Sequence, residues 1–175
     1  MKKEQNLENP QSQQLNIDGV NGYRVSCDCN TCKDACKTKP GWFKPGEAEK
    51  VAEYLGISLQ DLFNEYLAVD WYQNEADETF VLSPATNNCQ TGGMFPFNPK
   101  GRCVFFENEK CKIHSVAPFE CREYYHNQSH KECTDRHEDV SKEWTNKKEY
   151  MSELLGFEPY ATEAESFSEM FGLYI

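Results

Sequence analysis

Cysteine placement constrains this chain more than any other feature. Cys27, Cys29, Cys32 and Cys36 fall close together, and Cys103, Cys111 and Cys121 form a second group far downstream. Nine cysteines in 175 residues are too sparse for a disulfide miniprotein, and an odd number cannot pair completely. The first residues, MKKEQNLENPQSQQLN, place two lysines ahead of no apolar stretch, so no secretory signal is expected. Clustered thiols in a reducing compartment are more often metal ligands than bridges. The expectation is a cytoplasmic metal-binding protein.

The spacing within the first group supports that reading. Two residues between Cys29 and Cys32 let both sulfurs reach one ion while the intervening amides turn toward them. Cys36 lies one helical turn further on, and Cys27 is the next candidate. In the second group, Cys103 and Cys111 flank Glu107-Asn108-Glu109-Lys110, a hairpin candidate. Side chains alternate along a strand, so a register pairing Phe106 with Cys111 would send Cys103 and Cys111 to opposite faces. If both serve one site, a three-residue loop is expected instead. A tetrahedral zinc or a [4Fe-4S] cluster each takes about four ligands. The two groups therefore either converge on one site with spares or build two sites.

Other residues offer weaker signals. His126, His130, Cys133 and His137 recur at i, i+4, i+7 and i+11, one face of a helix, where a chelating pair or a solvated polar surface would serve equally. His114 and Cys89 are possible accessory donors. Arg122 and Lys33 adjoin the proposed thiolates, where a cation would offset gathered negative charge.

The rest of the chain reads as an α+β, mainly helical domain with a short β-hairpin and metal-stapled loops. Residues 1–20 form a loose polar tail, and residues 21–175 a single domain with a helical C-terminal extension. Glu47 opens a helix after Pro45-Gly46, and Gly56 sits where a C-cap is favoured. Ser58 and Asp61 start a second helix bearing Leu59, Leu62, Phe63, Tyr66 and Leu67 on one face. Phe80-Val81-Leu82 is a short strand. A polar helical stretch follows Pro118, containing Cys121 and Cys133. Thr162 and Glu165 form a capping box ahead of Phe167, Met170 and Phe171.

The helix pair from Glu47 to Leu67 has the cadence of a DNA-reading motif, but it is rich in acids. With 18 basic against 29 acidic residues, the net charge is −11. That balance disfavours nucleic acid and anionic lipid as partners, and no apolar run reaches the ~20 residues that span a bilayer.

Four stretches together resemble a known family. They are Cys29-Asn-Thr-Cys32-Lys-Asp-Ala35-Cys36, Gly101-Arg-Cys103-Val-Phe105, Cys111-Lys-Ile113-His114 and Ala117-Pro118-Phe-Glu-Cys121-Arg122. In this order they are similar to the CxxCxxCC (YkgJ-type) cysteine-cluster proteins over roughly residues 23–126. The resemblance implies zinc or iron chelation by the cysteines. Two departures stand out: Ala35 replaces the first member of the CC pair, and Ala117 replaces the arginine of R-P. Flagellin lysine N-methylases carry a similar cluster, which implies an enzyme by analogy only. Against that, no glycine loop for a nucleotide or S-adenosylmethionine is present. A third alternative is a zinc-stapled adaptor presenting an acidic surface and the aromatic C-terminal segment to a protein partner.

Overall fold

The computed structural model describes residues 29–73, 78–88, 91–94 and 101–157. Cys27, Cys89, the tail at 1–20 and the capping box at Thr162 lie outside the described residues. The described part is mainly helical with two antiparallel hairpins. Its order is α1 (Asn30–Thr38), α2 (Glu47–Leu55), α3 (Leu59–Tyr66), β1 (Leu67–Gln73), β2 (Glu78–Pro84), β3 (Phe106–Glu107), β4 (Lys110–Cys111), a 3-10 turn (His114–Val116), α4 (Phe119–Arg122), α5 (His130–Thr145) and α6 (Lys148–Leu155). No helix among the described residues is long and apolar enough to cross a membrane.

Local signals set most boundaries. Gly56 takes a left-handed φ of 71° and its N–H closes α2 onto the Ala52 and Glu53 carbonyls, the role for which glycine is suited. Ser58 Oγ accepts the Asp61 N–H at 3.0 Å, capping α3.

One expectation fails at α3. Leu67 continues the helical spacing of Leu62 and Phe63, yet the helix stops at Tyr66 and Leu67 begins β1. Leu67-Ala-Val-Asp-Trp-Tyr-Gln pairs residue for residue with β2, from Leu67 opposite Pro84 to Gln73 opposite Glu78. The β-branched and aromatic side chains of this stretch fit a pleated, half-buried surface, and that long-range pairing overrides the helical period.

The core lies where α5 packs on β2 and α3 packs on α2 and α6. Phe43, Leu62, Phe63, Leu82, Phe105, Ile113 and Trp144 are fully buried there. Trp144 donates its indole N–H to the Phe43 carbonyl at 2.6 Å, so a long amphipathic ring is buried with its polar atom satisfied. Phe43 N–H in turn donates to the Leu82 carbonyl at 2.9 Å. Residues 41–43 are thereby fixed between β2 and α4, where they reach the cysteines.

The second hairpin has the even register. Phe106 faces Cys111 and Glu107 faces Lys110, with Asn108 and Glu109 both left-handed at φ 48° and 61°. Two successive left-handed residues are the signature of a tight two-residue turn. The expected three-residue loop is absent. The ladder is two residues long, and the chain turns between Cys103 and Phe106, whose N–H donates to the Cys103 carbonyl at 3.0 Å. Strand alternation therefore never reaches Cys103, and its sulfur is aimed by the turn.

Candidate metal centre

Helix α1 carries the first cysteines on one side. Cys29 is its N-cap, and Cys29 Sγ accepts the Cys32 N–H at 3.5 Å. Unpaired amides at a helix start favour an anionic group there. His126 completes this corner. Its Nδ1 lies 3.7 Å from Cys29 Sγ and 3.7 Å from Cys32 Sγ. Among the described residues this is the one set of three metal-ligating groups whose donor atoms all fall within 4.8 Å of one another. Two sulfurs and one imidazole nitrogen at that spacing suit a single ion: tetrahedral bonds of roughly 2.0–2.3 Å put ligand atoms about 3.5–3.8 Å apart.

His126 reaches this corner because it is not helical. Asn127 takes a left-handed φ of 73°. Helix α5 begins only after Ser129, whose side chain and that of Glu132 form a full capping box. The shared helical face expected for His126, His130, Cys133 and His137 therefore does not exist. His137 turns elsewhere, its Nδ1 2.5 Å from Glu120 Oε1 and its ring 4.7 Å from that of Trp42. The motif Ser129-His-Lys-Glu132 is the signal in the sequence that separates His126 from the helix. Cys133 remains a neighbour of the corner. The Tyr124 hydroxyl has its pKa raised by burial first and then by the Cys32, Cys133, Cys29 and Cys36 thiols.

The other four proposed cysteines among the described residues meet at a second place. Cys36, in the last part of α1, lines a pocket together with Cys103, Cys111 and Cys121. Each comes from a different element. Cys103 is tied to α1 by its N–H on the Lys37 carbonyl at 2.8 Å and to the segment just after β2 by an isolated bridge with Thr86. Cys111 ends β4, and Cys121 lies in α4. Pro84, Phe105 and Ile113 supply apolar wall, and His114 lies at the same pocket.

Burial pushes all four thiols up. Cys103 rises from an ordinary 9.0 to about 12 and Cys111 to about 11, with the neighbouring Cys36 adding to both. Cys121 and Cys36 move the same way for the same first cause. A backbone amide opposes the shift at Cys121, where the Gly41 N–H donates to Sγ at 3.2 Å. Cys36, Cys103, Cys111, Cys121 and Cys133 are free thiols.

A family model, CxxCxxCC, described as "Putative zinc- or iron-chelating domain", matches residues 28–150. The chain belongs to the CxxCxxCC family. No curated protein and no solved structure matches it. Set against the family's cysteine pattern, α1 divides its work: Cys29 and Cys32 point to His126, and Cys36 to the four-thiol pocket.

Arg122 is not a partner for these thiols. Its guanidinium pairs with the Glu47 carboxylate and donates to the Ala117 carbonyl, so its charge is used to hold α4 against α2. Gly41 is required by close approach. A Cβ there would sit 2.7 Å from Glu120 Cβ, 2.9 Å from Cys121 N and 3.1 Å from Cys121 Sγ. Gly41→Ala is expected to cost about 1–3 kcal/mol, the usual penalty for overpacking a rigid contact. Urea denaturation measures it, and an unchanged midpoint would refute the contact's importance.

Proposed function

We propose that this chain chelates one zinc or ferrous ion through Cys29, Cys32 and His126, and that the ion ties the start of α1 to the segment between α4 and α5. The observation that supports this reading is the spacing of the three donor atoms. Cysteine thiolate and neutral imidazole are the donor set that both ions accept. A further donor comes from a neighbouring thiol, for which Cys133 and Cys27 are the candidates. The ion supplies charge neutralisation for the sulfurs and a crosslink between segments distant in sequence. Binding free energy then becomes folding free energy.

The test is metal analysis of the full chain and of His126→Ala, with thermal unfolding of both. The variant is expected to lose one metal equivalent per chain and to melt several degrees lower. Full metal content in His126→Ala would overturn the assignment. Self-association of the full chain that is lost on deleting residues 161–175 would support the adaptor reading.

A further inference from the structure

His126 lies on the exposed connection between α4 and α5. Surface connections are ordinarily the most mobile parts of a fold, and a ligand on a mobile loop loses conformational freedom when it closes on an ion. Here the connection is strapped from α5. The Arg136 guanidinium donates through Nη1 to the Glu123 carbonyl at 3.1 Å and through Nη2 to Gln128 Oε1 at 2.7 Å. Glu123 is the C-cap of α4, and Gln128 stands one residue before Ser129, the N-cap of α5. One side chain therefore holds both ends of the segment, with His126 between them. Glu132, one turn earlier on α5, ties down the residue before His126: its carboxylate accepts the Tyr125 hydroxyl and the Ser129 N–H.

Helix capping alone does not account for these bonds. The end of α4 needs only the Glu123 contact, and the start of α5 already has a full capping box from Ser129 and Glu132. The Gln128 bond serves neither helix; its effect is to fix the loop. The residue type fits the task. A planar guanidinium presents several donors in fixed directions and can serve two acceptors at once, whereas an ammonium on a flexible stem is a point charge. Nη2 also lies 4.0 Å from Cys133 Sγ, so the cation stands beside a thiol that neighbours the corner. Arg122, which adjoins Cys121 in sequence, is taken up by Glu47; Arg136 reaches the edge of the ion site through space instead.

We propose that Arg136 is the positioning residue of the ion site: by holding Glu123 and Gln128 together it sets His126 opposite Cys29 and Cys32 before an ion arrives. The proposal rests on the Cys29–Cys32–His126 reading and adds the group that makes that corner ready-made. A site built in advance binds more tightly because less ordering accompanies binding, and groups that orient metal ligands typically contribute about 10–100-fold in affinity.

The test is the zinc affinity of the metal-free full chain, read by competition with a chromophoric chelator on the zinc equivalent that His126→Ala lacks. The cobalt(II) absorption spectrum at saturation records the ligand set. Arg136→Ala is expected to bind zinc about 10–100-fold more weakly than wild type. Once saturated it should give the wild-type cobalt spectrum, because the ligands are unchanged and only their readiness is lost. Arg136→Lys keeps the charge without the fork and is expected to stay weakened. Gln128→Ala cuts one end of the strap and should weaken binding by a smaller factor; it decides the matter should Arg136→Ala fail to fold. Unchanged affinity in Arg136→Ala would overturn the strap, as would full recovery in Arg136→Lys, which would leave charge alone as the cause. An altered cobalt spectrum at saturation would overturn it too, since Arg136 would then change the ligand set rather than position it. The ion site is read separately. Wild-type affinity in His126→Ala brings down the site and the strap together, whereas zinc lost from His126→Ala beside an unaffected Arg136→Ala brings down the strap alone.

Discussion

Glu47→Ala should be among the most damaging single changes outside the cysteines. Glu47 is 6% exposed and accepts three donors. The Lys44 N–H lies at 2.8 Å, the Phe119 N–H at 2.9 Å, and the Arg122 guanidinium pairs with the other oxygen. Removing the carboxylate orphans two amides and strands a cation. Breaking a buried pair from one side typically costs 3–5 kcal/mol. The Arg122 side chain is 32% exposed and can recover some hydration, so about 3 kcal/mol is expected. Because the lost contacts seat α4, and α4 carries Cys121, metal content should fall with stability. Glu47→Gln keeps an acceptor and should cost about half as much. A Glu47→Ala variant with a wild-type urea midpoint would show that α4 is seated by other contacts.

The second large effect is a stability loss of the metal-free protein in alkali. Burial raises the folded-state pKa of Cys103 from 9.0 to about 12 and of Cys111 to about 11. Below pH 9 both states hold these protons, and the folded protein has its full stability. Above pH 9 the unfolded chain ionises while the folded chain does not, so stability drops as pH rises through the folded values. For Cys103 alone the complete loss is on the order of 4 kcal/mol, at 1.36 kcal/mol per unit. The loaded protein should not show it, since its thiolates are already ionised. Denaturation of chelator-treated protein at pH 8, 9, 10 and 11 measures the slope. Equal slopes with and without metal would mean that the pocket's thiols are not the ligands.

Much of the framework was legible from local chemistry. Gly56 marked a helix end because few residues tolerate its left-handed backbone, and Ser58 marked a start because its hydroxyl satisfies a free amide. The Cys-x-x-Cys step and the downstream cysteines stood out by spacing. What was not legible depends on distant partners. Leu67 carries a helical pattern yet begins a strand, since its pairing with Pro84 is invisible in any short window. His126 looked like part of a helical face until the cap at Ser129 placed the helix start beyond it. The convergence of Cys103 with Cys111 could not be read from strand alternation, because the turn at Cys103 ends the alternation first.

Helix α1 also acts as an indexing element. Cys29, Cys32 and Cys36 stand within an arc of about 60° on a helix that advances about 100° per residue. One added residue in Lys33-Asp34-Ala35 would swing one corner by that 100° relative to the other and misalign both. A replacement at Ala35 leaves the angle intact. The length of this stretch is thus constrained more tightly than its composition, and angular phase, rather than any single contact, is what α1 contributes in setting Cys29 and Cys32 beside His126 and Cys36 in the pocket.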